Sequence, residues 1–204
     1  MAHATLVVST TFLVLTILYY GHWVVLRRRF VAITPRQVYQ SGAMSPALLM
    51  RYVRRYSIAT VMDFRGPNEK GVGAEREVLV GTGVKYINIP IGILPSRDEL
   101  RRFMDIMNEE LQAGRPVLMH CKDGQGRAIA LAAIYRIEFE GWEPLQAYRA
   151  ATRLPPGFKP ISILFPGAGL LSPRNPKTPF ILNYSPTRRT LDAPVSVCVG
   201  ETSA

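Results

Sequence analysis

The sequence of 204 residues holds only two cysteines, Cys121 and Cys198. The second lies in a polar, proline-containing tail, which excludes a disulfide framework and leaves each cysteine to be read singly. Acidic residues are scarce as well: 15 Asp and Glu face 25 Lys and Arg, a formal net charge of +10. Such a balance calls for an anionic partner, which could be nucleic acid, an acidic bilayer or a phosphorylated substrate. Nucleic acid is not expected, because the arginines fall in one N-terminal cluster and on one helix face without interleaved stacking aromatics. No internal repeat is present, and the length suits one domain with appendages, since a domain takes roughly 100 to 200 residues.

Charge is missing altogether from the first 26 residues. Residues 6–26 are dominated by Val, Leu, Ile, Thr and aromatics. At about 1.5 Å per residue this run reaches roughly 30 Å, the thickness of a hydrocarbon core. Tyr19, Tyr20 and Trp23 sit near its end, and Arg27, Arg28 and Arg29 follow, a pattern that places the arginines on the cytoplasmic side. A cleaved signal would want a basic start, a shorter apolar run and a small-residue cleavage site. None of these is evident. The expected organisation is a single-pass membrane anchor with a basic flank at 1–29, a linker at 30–37, a cytoplasmic catalytic domain at 38–154 and a proline-rich, mobile tail at 155–204. Nine prolines from Pro155 to Pro194 argue against regular helices or central strands in that tail. The 161–171 portion is still apolar and is left open between packing on the domain and lying at the membrane surface.

Within the domain, strand and helix signals alternate. Val38-Tyr39 reads as a short strand, and Ser45-Pro46 supplies an N-cap and a first-position proline for a helix to Tyr56. Residues 59–64 form an apolar run of the kind buried on both faces of a sheet, and the glycines and proline of 66–73 mark a loop. A helix over 74–80 and a strand over 85–89 follow. Ser96-Arg97-Asp98-Glu99 has the S-x-x-E form of a capping box and opens a helix to Leu111. Residues 116–120 are a strand, the apolar run 129–137 is a helix, and Pro144 opens a last helix to Thr152.

The chemistry concentrates in His120-Cys121-Lys122-Asp123-Gly124-Gln125-Gly126-Arg127, an H-C-x5-R segment between an apolar strand and a helix. Five intervening residues can curl so that successive backbone N–H groups point at one tetrahedral dianion, with glycine permitting the tight path. Lys122, Asp123, Gly124, Gln125, Gly126 and Arg127 are therefore the candidate phosphate-binding residues. Arg127 offers a planar, permanently charged fork for two phosphate oxygens. The amides, the helix dipole and the arginine together favour a thiolate nucleophile.

This segment resembles the signature loop of the protein tyrosine phosphatase superfamily, and its compact dual-specificity branch in particular. The stretches V-Y-Q-S-G-A-M-S-P at 38–46, T-V-M-D-F-R-G at 60–66 and G-V-K-Y-I-N-I-P at 83–90 are similar to the bacterial dual-specificity-like members. The resemblance implies an α/β fold with a central, mostly parallel sheet flanked by helices, no metal, no cofactor and a cysteinyl-phosphate intermediate. It further implies that Cys121 attacks phosphorus, that Arg127 binds the transferring group and that His120 helps set the loop and the thiolate. A sulfurtransferase also starts a loop with its cysteine, but the stretch at 38–46 does not support that reading.

Two features depart from the family pattern. Ala128 stands where the family usually has Ser or Thr, which points to slow turnover, and positions 86–95 lack the usual general-acid aspartate. Asp98 is the nearest substitute. Asp123 is its rival, because C-x-D-G resembles the loop of myotubularin-like lipid phosphatases. Asp63 with Arg65 reads as an interior ion pair or strand-end contact. Lys122 matches phosphoinositide phosphatases whose loop begins H-C-K, whereas Gln125 replaces their second lysine. Phosphorylated protein stands slightly ahead of phosphatidylglycerophosphate or phosphoinositide as substrate, and a weakly active phospho-binding module is the non-enzymatic alternative.

Overall fold

The computed structural model describes residues 2–152, 171 and 174–187. A five-stranded sheet in the order β1-β2-β5-β3-β4 is built from β1 (Val31–Thr34), β2 (Val38–Gly42), β3 (Thr60–Asp63), β4 (Lys85–Asn88) and β5 (Val117–Cys121). All neighbours are parallel except the edge pair β1 and β2. The α/β class and its mostly parallel sheet thus agree with the expectation. Because side chains alternate across a strand, Val117 and Met119 of β5 enter one core and Leu118 enters the other.

Helices α2 (Pro46–Tyr56) and α3 (Val72–Leu79) cover the first face, with Leu49, Tyr52, Val53 and Leu79 packed on Val61 and Leu118. Ser45 caps α2 as its sequence foretold, its hydroxyl accepting from Leu48 N–H. The second face is covered by α4 (Arg97–Gln112), α5 (Arg127–Phe139) and α6 (Pro144–Ala151). Both halves of the capping box at Ser96 and Glu99 are formed in α4. Every residue of α5 from Ala128 to Tyr135 is buried, as a helix apolar on all sides requires.

Residues 30–37 are not a linker. Val31, Ala32, Ile33 and Thr34 form β1, with Val31 opposite Gln40 and Ala32 opposite Tyr39. Arg28 and Arg29, at φ of 50° and 55°, turn the chain back onto the sheet. Phe30 then packs on three tyrosines, its ring centroid 4.3 Å from Tyr52, 4.6 Å from Tyr56 and 5.4 Å from Tyr39. A four-residue strand beside a basic cluster leaves too short a pattern to register as a strand in the sequence. The preceding chain is α1 (Ala2–Gly21) and a π-helical turn (His22–Leu26), and its Leu6–Leu26 portion is long and apolar enough to cross a membrane.

The described part of the tail also departs from expectation. Helix α7 (Lys177–Leu182) buries Ile181 and packs on α5 and α6. Pro179 is tolerated because it sits in the first turn, where an N–H has no intrahelical acceptor. Leu171 is buried and its carbonyl accepts from Tyr148 Oη at 3.0 Å. Cys198 and the rest of the 161–171 apolar stretch lie outside the described residues.

Replacing Phe30 by Ala is expected to destabilise the full chain in micelles by about 3 kcal/mol or more, as for other buried aromatics. Denaturant unfolding followed by near-UV circular dichroism checks this. A loss within about 0.5 kcal/mol, typical of a surface linker residue, would contradict the packing described.

Candidate active site

Strand β5 delivers Cys121 to the carboxyl edge of the sheet, and α5 begins six residues later at Arg127. The loop between them is held from behind. Ala43 N–H donates to the Lys122 carbonyl at 3.0 Å, Arg29 Nη1 to the Asp123 carbonyl at 2.8 Å and Gln40 Nε2 to the Gly124 carbonyl at 3.2 Å. In a planar trans peptide the N–H points opposite to the carbonyl. Fixing three successive carbonyls rearward therefore turns the N–H groups of Asp123, Gly124 and Gln125 toward the pocket side. Gly124 has φ of +67°, and a Cβ there would lie 2.6 Å from Gly42 nitrogen, so only glycine fits against β2.

The pocket in front of the loop is an open cavity of about 780 Å³ lined by Cys121, Lys122, Asp123, Gln125, Gly126 and Arg127. Cys121 is buried at its floor. The sequence-predicted loop residues are thus brought together. Arg127 donates from Nη1 to the carbonyls of Phe64 at 2.9 Å and Ile91 at 3.2 Å. Its fork is also paired with Glu69, Nη1 to Oε1 at 2.8 Å and Nη2 to Oε2 at 3.1 Å. The Arg127 hydrogen bonds hold the Glu69 carboxyl below the usual carboxylate range. Glu69 thus occupies the fork with the bidentate geometry that a phosphate would take over.

Two wall residues escaped the sequence. Glu69 sits in the 66–73 loop, where nothing distinguishes it from a solvated charge. Lys177 comes from the tail and brings its side chain against Gly126, with Cε 3.5 Å from where a Cβ would stand there. Burial, and then the nearby Arg127 charge, lower its pKa.

His120 and its neighbours lie beneath the loop. Asp63 and Glu75 both hold Arg65, whose Nη2 is 2.7 Å from each carboxylate, confirming the interior ion pair and extending it. Tyr86 Oη donates to Asp63 at 2.6 Å, and Met44 N–H donates to Glu75 at 3.1 Å. His120 Nε2 is 3.3 Å from Glu75 Oε2, Nδ1 is 3.9 Å from Asp63, and the ring lies against the Cys121 backbone. Donor atoms of Asp63, Glu75 and His120 fall within 4.8 Å of one another, but the cation between the two carboxylates is the Arg65 guanidinium. Burial pushes Asp63 up, and Arg65, His120 and Tyr86 outweigh it, leaving this carboxyl below its ordinary value. At Glu75 burial, helped by the Asp63 charge, outweighs Arg65 and Met44 and raises the carboxyl to about 7. Burial lowers His120 to about 4, so the ring is neutral at pH 7 and supports the loop as an uncharged group.

Asp98 stands apart from the site. It occupies the first turn of α4, its side chain is 91% exposed, and it faces Arg101 at 3.5 Å rather than the pocket. A place in the first turn, near the positive end of the helix dipole, explains the aspartate without any chemistry. Asp123 does line the pocket. Ala128 is buried at the start of α5 and offers no hydroxyl to the nucleophile.

The family model described as a DSP-PTPase phosphatase fused to NAD+ kinase matches residues 36–154. The chain belongs to this family. It is accordingly a phosphatase of the dual-specificity-like protein tyrosine phosphatase superfamily. Solved structures agree on the fold of this DSP-PTPase domain. The core catalytic domain of the PP-IP phosphatase SIW14 from S. cerevisiae shares 17% identity over 79% of this chain and 88% of its own, with a TM-score of 0.57. Tk-PTP in its active form shares 21% over 63% and 85%, with a TM-score of 0.52. PTPMT1 shares 19% over 59% and 79%, with a TM-score of 0.51. No curated protein matches the sequence.

The two buried groups under the DSP-PTPase loop titrate in opposite senses. Glu75, raised from 4.5 to about 7, contributes stability that is present at low pH and lost as pH rises through 7. His120, lowered from 6.5 to about 4, contributes stability that is present above 6.5 and lost as pH falls through 4. Between 4.5 and 6.5 the two slopes oppose one another. Urea unfolding across that window should show little pH dependence for the native chain and a stability rising with pH for Glu75→Gln. The same flat profile in both would contradict the assignment.

Proposed function

We propose that this phosphatase is a single-pass membrane enzyme, with its domain on the cytoplasmic side, that hydrolyses phosphomonoesters on lipid headgroups at the bilayer surface. One observation carries the reading: the apolar helix meets the domain at the edge of the sheet that holds the catalytic loop. Gly42 N–H donates to the Arg28 carbonyl at 2.7 Å, Arg28 Nε donates to the Ala43 carbonyl at 2.7 Å, and Arg29 reaches the loop itself. With Phe30 locked among tyrosines, no free tether separates anchor from pocket. Lys122 and Lys177 add two cationic side chains beside Arg127, which suits a substrate carrying a phosphodiester as well as a phosphomonoester. Phosphatidylglycerophosphate and phosphoinositides have that chemistry.

In this mechanism the Cys121 thiolate attacks phosphorus, an S–P bond forms and the ester P–O bond breaks. Arg127 and the inward N–H groups carry the equatorial oxygens. The leaving alkoxide takes a proton, for which Asp123 is the donor in reach of the pocket. Water then cleaves the S–P bond, releasing inorganic phosphate and restoring the thiolate. Intact Cys121 and Arg127 favour this over a phospho-binding module.

A membrane-associated phosphoprotein is the second reading, favoured by the openness of the pocket. Phosphate release by the full chain in nanodiscs separates the two. Phosphatidylglycerophosphate or a phosphoinositide in the disc should be turned over with kcat/KM at least about tenfold above a tyrosine phosphopeptide, in keeping with the local concentration that tethering provides. Cys121→Ser should abolish both. Asp123→Asn should slow alkyl esters by about 10²-fold or more while sparing aryl phosphates. Lys177→Ala should cost about tenfold or more on the lipid, as for a lost charged hydrogen bond. A preference for the peptide would promote the phosphoprotein reading, and no turnover of either would sink the hydrolase.

A further inference from the structure

A second cationic cavity lies outside the catalytic pocket. It has a volume of about 710 Å³ and is lined by His22, Leu26 and Arg27 from the end of the apolar helix and by Arg51, Tyr52 and Arg55 from α2, with Leu48 and Tyr56 completing the wall. None of the ion pairs among the described residues involves Arg27, Arg51 or Arg55. Their neighbours are aromatic instead. Arg51 stands 6.0 Å from the Tyr52 ring centroid, Arg55 stands 5.7 Å from that of Tyr56, and Arg27 lies against the Tyr52 hydroxyl. The three arginines line one cavity, none of them ion-paired among the described residues, and Tyr52 and Tyr56 in its wall are fixed by Phe30. Three cations on one wall favour an anion between them.

The position of the cavity specifies the anion. Leu26 closes the 21-residue apolar run, so the cavity opens where that run ends. We propose that this groove seats the headgroup phosphate of an anionic phospholipid, whose acyl chains run beside the apolar helix. The site is separate from catalysis and rests on the membrane-anchor reading above. Its effect is to fix the rotation of the whole protein about the helix axis and so the aspect the catalytic edge presents to the bilayer. Arg54 is an internal control, because it carries the same charge on the same helix and shares a neighbouring cleft with Arg51 and Arg55 but does not line the groove itself.

The test uses the full chain in phosphatidylcholine nanodiscs doped with spin-labelled phosphatidylglycerol or spin-labelled phosphatidylcholine. Phosphatidylglycerol carries no phosphomonoester, and Lys177→Ala, which takes a cation out of the catalytic pocket, should leave the preference intact and so separates that pocket from the groove. The motionally restricted fraction in the electron spin resonance spectrum gives the relative association constant. The wild type is expected to prefer phosphatidylglycerol, and Arg51→Gln and Arg55→Gln should each reduce that preference about fivefold, the effect of one basic residue at an anionic surface. Arg54→Gln should leave it nearly intact, and aryl phosphate turnover should be unchanged in all three. Absence of a preference, or an equal loss with Arg54→Gln, overturns the groove in favour of diffuse charge. Flotation of the chain with vesicles is read separately: failure to float overturns the anchor and the groove together, whereas flotation without lipid preference overturns the groove alone.

Discussion

Three carbonyl groups decide what this loop can do. Those of Lys122, Asp123 and Gly124 are each fixed from behind, by Ala43, Arg29 and Gln40. Without these donors a glycine-rich loop would sample many peptide orientations, and an anion would have to pay for ordering it. The donors come from β2, from the residue that follows it and from just before β1, so the antiparallel edge of the sheet serves the active site and not only the core. The absence of room at Gly124 and the rearward carbonyls are two sides of one constraint, since the loop can lie flat on β2 only if nothing projects from its back.

Electrostatics beneath and before the loop follow from charge counting. Asp63, Glu75 and Arg65 are buried together with one cation for two carboxylates, and the deficit settles on Glu75, which is raised to about 7. His120 cannot make up the deficit because its own burial drives it toward neutrality. The loop therefore rests on a network of nearly balanced charge. In front, the balance is inverted: three cations, Arg127, Lys122 and Lys177, stand against two carboxylates, Glu69 and Asp123. The pocket is short of anions, and a phosphate supplies them.

Much of this was readable in the sequence. The H-C-x5-R spacing, the S-x-x-E box before α4 and the proline at the start of α2 each carry a local mechanism, and each element formed where its signal stood. The antiparallel strand at 31–34 did not announce itself, because four residues between Phe30 and Pro35 carry no usable period and their pairing with β2 is non-local. Lys177 was hidden for a related reason. Prolines around it read as disorder, yet Pro179 falls in the one helical turn that tolerates it, and Ile181 finds burial only through contact with α5 and α6. Asp98 misled in the opposite direction: its place in the chain suited a general acid, while its position in the first turn of α4 had already accounted for it. That Glu69 pairs with Arg127 depends on loop geometry that no motif encodes.

In the proposed reading, anchor and catalytic loop are held on one edge of the sheet so that the pocket works on the bilayer surface. A flexible ten-residue Gly-Ser spacer inserted between Leu26 and Arg27 tests it most directly, since it keeps Arg28, Arg29 and Phe30 on the domain but frees the domain from the helix. Turnover of a lipid phosphomonoester in nanodiscs is predicted to fall about tenfold or more, with soluble aryl phosphate hydrolysis unchanged. Equal turnover of the lipid with and without the spacer would contradict the account.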